Sequence, residues 1–295
     1  MTAPLAHNTN TTATTPTATA ADGGPAPADR SPQRVRHALR FRLLDVVAVR
    51  RLTPRMIRVT LGGAALDGFR SPGFDDHVKL FFPDPATGRL VLPTAGPDGP
   101  VPPADGATPT MRDYTPRRHD AAAGTLDIDF AVHDAGPATT WAAQAAPGQR
   151  LGVGGPRGSF LVPTDYAGHL LVGDETALPA IARRLEELPA GGRALVVAEV
   201  DGPDEEIAFE SRAALEVAWV HRRGAAPGTG DGLLARLRGL ELPAEDLYAW
   251  VACESGAAKA IRAHLVAERG VPPKQVKAAG YWRRGDAAAH DTHGD

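Results

Sequence analysis

The hydrophobic rhythm of the chain changes once, near residue 165. Before that point apolar residues come in short runs that alternate with polar ones or stop at turn residues, the period-2 pattern of half-buried strands. Residues 41–50 and 56–61 are predicted strands, broken by Leu52-Thr53-Pro54. Leu66-Asp67-Gly68-Phe69 is predicted to turn, and residues 77–82 form a strand stopped by Pro83. Residues 83–110, rich in Pro, Gly, Asp and Thr, read as a long excursion. Residues 112–117 resume as a strand, and residues 126–133 set Leu126, Ile128, Phe130 and Val132 against Asp127, Asp129, Ala131 and His133. Residues 148–160 supply a last strand and its turn. So many short strands predict a small antiparallel barrel.

Beyond residue 165 apolar runs at 169–173, 194–200, 215–220, 248–252 and 276–282 alternate with helical stretches at 177–188, 233–240 and 257–268. That order predicts a parallel α/β sheet with ligands beyond the carboxyl ends of its strands. The expected organisation is a disordered tail over 1–33, a β-barrel over 34–165, an α/β domain over 166–285 and a flexible tail over 286–295. Residues 1–30 carry almost no large apolar side chain and cannot offset their ordering entropy.

Composition narrows the function. A length of 295 residues with 43% hydrophobic content supports two domains of ordinary size. The net charge of −3 argues against a nucleic-acid or anionic-membrane surface. A single cysteine excludes an intramolecular disulfide and an iron–sulfur cluster held by this chain, which needs about four thiolates. No apolar run of about 18 residues offers a membrane span, and no signal peptide is visible at the N-terminus. The cytoplasm is the expected location, with no nucleic-acid or membrane partner and a monomer as the default.

Candidate chemistry begins at Arg112-Asp113-Tyr114-Thr115-Pro116-Arg117. A Tyr ring can cover one face of an isoalloxazine, a Thr hydroxyl can hydrogen-bond the flavin's reactive nitrogen, and Arg grips phosphate with two parallel bonds. The same six residues also fit an exposed basic strand with a buried Tyr. At Gly136-Pro137, proline suits the first position of a helix, and the free amides there suit a diphosphate, with Thr139 and Thr140 as further donors. An ordinary capped helix with Trp141 in the core fits equally.

The Arg-x-Tyr-Thr-x-Arg stretch, the Gly-Asp-Glu-Thr-Ala-Leu-Pro-Ala-Ile run at 173–181 and the closing Gly280-Tyr281-Trp282-Arg283-Arg284-Gly285 resemble the siderophore-interacting proteins, over about residues 34–285. Those are FAD-containing, NAD(P)H-dependent ferric-siderophore reductases of the ferredoxin-reductase-like superfamily. The resemblance implies that Arg112, Tyr114, Thr115 and Arg117 hold FAD, with Tyr114 and Thr115 at the reacting ring. It also implies that His133, Gly136, Pro137, Ala138, Thr139 and Thr140 lie along the FAD phosphates, His133 in a structural rather than catalytic role. The turn around Arg157 would lie near the flavin, with Arg157 a weakly supported contact.

On the α/β side the first strand end is not a Gly-x-Gly-x-x-Gly fingerprint, but its strand-to-helix geometry suits a pyrophosphate. Thr176 and nearby amides take the phosphate role, and Asp174 and Glu175 serve as ribose or helix-cap groups; a simple helix cap is the alternative for Asp174 and Thr176. The third strand ends in Arg222-Arg223, where the superfamily receives the 2′-phosphate of NADPH, so NADPH is expected over NADH. The second strand ends acidic, in Glu199-Val200-Asp201. Glu254 and Ser255 match the family's Gly-Glu-Ser run. Cys253 replaces its Gly and reads as a bystander thiol. Trp282 returns an aromatic group toward the flavin. Lys79, Arg117, Arg283 and Arg284 are the candidates for an anionic ferric siderophore, and His77 reads as a turn cap. His290 and His293 suit no defined metal site. The rival functions are a flavin-dependent reductase of another acceptor, such as a quinone, free flavin or protein, and a non-catalytic siderophore-binding protein.

Overall fold

The computed structural model describes residues 1–2, 30–97, 99–133, 136–244 and 246–285, and residues 291–293 as backbone. The chain divides into Met1–Arg30 and Ser31–Asp295, and every described secondary-structure element belongs to the second unit. Of the tail expected over 1–33, residues 3–29 lie outside the described residues, and Gln33 already belongs to the first strand.

The first half is antiparallel. Its elements are β1 (Gln33–Arg36), β2 (Phe41–Thr53), β3 (Met56–Gly62), β4 (Val78–Phe82), a short hairpin of β5 (Thr94–Gly96) and β6 (Gly99–Val101), β7 (Thr110–Tyr114), β8 (Pro116–Asp120), β9 (Thr125–Ala131), α1 (Pro137–Ala143), β10 (Arg150–Gly154) and β11 (Gly158–Leu161). Seven strands form one sheet in the order β7-β4-β10-β2-β3-β9-β8, and β1 pairs with β11 beside it. Alternation along each strand turns Leu44, Val46, Val59, Leu61, Val78, Leu80, Leu126, Ile128 and Phe130 into one core.

The edge strands of this sheet are β7 and β8, yet Thr115 alone separates them in sequence. One residue spans less than about 4 Å of chain. The two edges therefore meet, and the sheet is curled into a barrel whose seam is Thr115. The single strand predicted over 112–117 is two strands for this reason.

The second half is parallel. It comprises β12 (Gly168–Asp174), α2 (Leu178–Glu187), β13 (Arg193–Val200), β14 (Ala214–His221), α3 (Gly232–Arg238), β15 (Leu247–Glu254), α4 (Ser255–Ala263), β16 (Val276–Trp282) and β17 (Asp291–His293). The order is β14-β13-β12-β15-β16, all parallel, with β17 added antiparallel to β16. Strands covered on both faces must be apolar throughout; Leu170, Leu171, Val172, Val196, Val197 and Val251 are all fully buried. Of the flexible tail expected over 286–295, the backbone of residues 291–293 pairs with residues 278–280, while residues 286–290, His290 among them, residues 294–295 and the His293 side chain lie outside the described residues. Gly280 is required by packing, because a Cβ there would fall 2.9 Å from the Cα of Ser255.

Helix α2 joins the two halves. Its apolar residues Leu178, Ile181 and Leu185 pack on the parallel sheet. Arg183 donates to the Ser71 carbonyl at 2.7 Å and the Pro116 carbonyl at 2.8 Å. Arg184, buried to 1% exposure, donates to the carbonyls of Val162 and Pro163 in the connecting segment and lies over the Phe74 ring. Burial lowers the pKa of both guanidinium groups. Asp75 accepts from the Trp250 indole at 3.0 Å and from Lys277 at 2.5 Å, and Glu205 accepts from the Thr53 hydroxyl and the Arg55 amide.

Removing the Arg184 fork leaves two buried carbonyls without a donor. Arg184→Ala is expected to lose on the order of 3 kcal/mol of stability, read as a lower urea midpoint with an unchanged slope. A loss below about 0.5 kcal/mol, the usual range for a surface substitution, would show that the clamp contributes nothing to stability.

Candidate active site

The barrel contributes an aromatic and arginine face beside its seam. Arg112 and Tyr114 pair across β4 with Leu80 and Val78, so they share the face of those core residues. The Tyr114 ring lies 4.5 Å from Phe130 and 6.5 Å from Phe82, and both of these rings meet Trp141 of α1 at 5.7 Å. Burial raises the Tyr114 phenol well above its ordinary pKa, so it stays protonated. Arg112 donates to the carbonyl of its neighbour Met111 at 2.7 Å and makes no ion pair among the described residues. Helix α1 begins at Gly136, whose φ of 142° suits glycine alone, and no side chain among the described residues caps its first turn. Thr139 is buried, Thr140 and His133 are exposed, and the His133 ring stands beside Gly136. The amides at the start of α1, two hydroxyls, the Arg112 guanidinium and an aromatic face are groups that could hold a flavin dinucleotide.

The rest of the motif serves the junction between the halves. Thr115 is buried, and its hydroxyl is hydrogen-bonded to that of Tyr281 at the end of β16. The Pro116 carbonyl accepts from Arg183. Arg117 pairs with Glu186 of α2 through both carboxylate oxygens, one of them at 3.2 Å. Arg112 and Tyr114 thus lie half-buried on the core face of β7, while Thr115 and Arg117 are bound from the α/β side.

At the carboxyl ends of the parallel strands, where the strand order reverses between β12 and β15, lies a cavity of about 280 Å³. Asp174, Glu199, Cys253, Glu254, Leu233 and Arg284 are among its lining residues. Asp174 accepts from the Thr176 amide at 3.0 Å, the Thr176 hydroxyl at 2.5 Å and the Trp282 indole at 2.7 Å. Burial, with Glu175 adding to it, pushes its carboxyl up to about 7. Both donors of Thr176 are thereby taken by Asp174. Glu254 caps α4 by accepting from the amides of Gly256 and Ala257. Burial raises the Cys253 thiol, so it remains protonated rather than nucleophilic.

Arg222 is held by acids. It forms two 2.7 Å bonds to Glu175 and a 3.4 Å contact to Glu199. Burial opposes its charge, but the two carboxylates outweigh it and raise its pKa overall. Its neighbour Arg223, at φ 54°, is exposed. The substrate candidates do not form one patch. Lys79 is neutralised on the barrel by Asp113 at 2.9 Å, Arg284 lines the cavity, and Arg283 is exposed beside it in sequence. Sequence reasoning missed Arg183 and Arg184; their signal was two adjacent cations within an apolar helical run.

Two family models match in tandem: the siderophore-interacting FAD-binding domain over residues 45–160 and the siderophore-interacting protein model over residues 166–285. The NADPH-dependent ferric-chelate reductase of Escherichia coli is 42% identical over 256 residues, covering 86% of this chain and 97% of that one. The ferric vibriobactin reductase of Vibrio cholerae is 35% identical over 250 residues, covering 83% and 90%. A siderophore utilization protein from T. fusca superposes with a TM-score of 0.82 at 47% identity, covering 88% of this chain and 98% of that one. The ferredoxin reductase of carbazole 1,9a-dioxygenase, at 18% identity and a TM-score of 0.57, shares the fold.

The Asp174 carboxyl generates a pH prediction. Its folded pKa lies above the unfolded value of about 3.9. Its contribution is therefore fully present at acid pH and is lost as pH rises from about 4 to about 7. His169 acts oppositely, because burial lowers its pKa to about 4 and stability is lost as pH falls toward that value. The difference between wild type and Asp174→Asn isolates the carboxyl. That difference is expected to move in the variant's favour as pH rises from 4 to 8 in urea melts, and a flat difference would exclude a protonated Asp174.

Proposed function

The chain belongs to the siderophore-interacting protein family, and on that footing we propose that it is an FAD-containing oxidoreductase that takes hydride from NADPH and delivers single electrons to a ferric siderophore, releasing Fe(II). The observation that carries the reading is the placement of two complementary sites on either side of one seam. Arg112, Tyr114 and the open start of α1 lie on the barrel, the strand-end cavity lies over the parallel sheet, and Thr115 and Tyr281 join them. Tyr114 covers a planar ring, Arg112 and the α1 amides take phosphate, and the Thr139 and Thr140 hydroxyls add donors. Thr115 presents a hydroxyl whose orientation Tyr281 fixes. FAD supplies the conversion of a two-electron donor into a one-electron donor when bound.

Glu254 and Arg284, which line the strand-end cavity, and Trp282 beside them would hold the nicotinamide dinucleotide there. Arg283 and Arg284 would supply the positive charge that an anionic ferric chelate requires. Lys79 contributes less charge than its sequence context implies, because Asp113 neutralises it. Iron leaves because hard oxygen ligands hold Fe(III) far more tightly than Fe(II). The barrel and the α/β layer serve as the FAD and NADPH domains, with boundaries near residue 165, and a cytoplasmic location supplies the reduced nucleotide.

The test is the visible spectrum of the purified protein under anaerobic conditions. Flavin bands are expected, to bleach on adding NADPH and to return on adding a ferric siderophore as Fe(II) forms. Tyr114→Ala and Arg112→Ala are each expected to weaken FAD binding by about tenfold or more, measured by flavin fluorescence. A protein that takes up no FAD overturns the barrel assignment; bound flavin that ignores both NADPH and NADH overturns the nicotinamide role alone.

A further inference from the structure

The strand-end cavity carries a feature that bears on which dinucleotide it accepts. Arg222 is the cation immediately past β14 and the natural seat for a 2′-phosphate, but its side chain is 6% exposed and both terminal nitrogens contact carboxylates. Glu175 and Glu199 against Arg222 leave the trio at a net charge of −1. Of the three, Glu199 alone lines the cavity. Its Oε1 lies 3.4 Å from Arg222, so Glu199 touches both the cavity and the guanidinium. Its Oε2 lies on the α3 side, 3.1 Å from where a Cβ on Gly232 would stand.

Resting on the reading of this cavity as the dinucleotide site, we propose that Glu199 is the residue that discriminates between a 2′-hydroxyl and a 2′-phosphate. A ribose hydroxyl donates to a carboxylate, whereas a phosphate monoester of about −1.5 to −2 charge is repelled by one. Glu199 therefore limits the preference for the phosphorylated ribose by screening the attraction that Arg222 would otherwise exert. Glu175 holds the same guanidinium from behind and positions it. Removing the Glu199 charge takes the trio from −1 to 0 and places an amide donor where the carboxylate stood.

The test uses full-length, FAD-loaded protein and Glu199→Gln, with Glu175→Gln as comparison. Flavin reduction by NADPH and by NADH is followed in stopped flow, and binding of 2′,5′-ADP and 5′-ADP is followed by calorimetry. In Glu199→Gln the NADPH-to-NADH ratio of kcat/KM is expected to rise at least tenfold, with 2′,5′-ADP binding at least tenfold tighter relative to 5′-ADP. Glu175→Gln is expected to move both ratios less. Ratios unchanged within twofold in Glu199→Gln, or moved equally by Glu175→Gln, overturn the proposal. If neither coenzyme reduces the flavin, the nicotinamide reading fails by itself, and calorimetry still decides: a shifted ADP preference supports Glu199, and no binding of either ADP overturns it. Glu199→Ser removes the same charge and replaces the Gln variant should that fail to fold.

Discussion

Two adjacent guanidinium groups on one helix hold this structure together. Arg183 and Arg184 leave α2 toward four main-chain carbonyls, at Ser71, Pro116, Val162 and Pro163. Those carbonyls belong to the loop before β4, the barrel seam and the segment that connects the halves. A buried arginine is costly unless its donors are satisfied, so the cations fix where these three segments sit relative to α2. Glu186 then pairs with Arg117 and Tyr281 with Thr115. Barrel closure and attachment of the second layer are thus one construction, made by the same six or so residues.

The broad architecture was legible because hydrophobic periodicity reports which faces are buried. Leu126 to Val132 alternates and is a half-buried strand; the runs around Leu170 and Val196 do not alternate and are covered on both sides. That Arg112 and Tyr114 share one face was legible from the alternation of the strand. What the sequence withheld was pairing. Nothing local distinguishes Thr115 as a seam, since closure depends on strands β4, β10, β2, β3 and β9 lying between its neighbours. Arg222 and Arg117 read as phosphate ligands by charge alone, and their partners Glu175, Glu199 and Glu186 are far away in sequence. A cation's availability depends on its surroundings, which periodicity does not encode.

The acids around the strand-end cavity share a logic. Asp174, Glu175, Glu199 and Glu254 stand at consecutive strand ends, and each accepts from a defined partner: Thr176 and Trp282, Arg222, Arg222 again, and the start of α4. Their hydrogen bonds and ion pairs hold the rim of the cleft in shape before any ligand arrives. Preorganisation of this kind lowers the ordering cost of binding. It also gives the cleft a negative wall with Arg284 as its cationic lining residue.

The excursion over residues 83–109 leaves β4 at Phe82 and re-enters at Thr110, and these two residues are direct partners across the β4–β7 ladder. Departure and return points coincide, so the strands on either side are in register whatever lies between them. Loop-closure entropy rises only slowly with length. That segment can therefore be lengthened, shortened or replaced without shifting the β4–β7 register that sets Arg112 opposite Leu80 and Tyr114 opposite Val78.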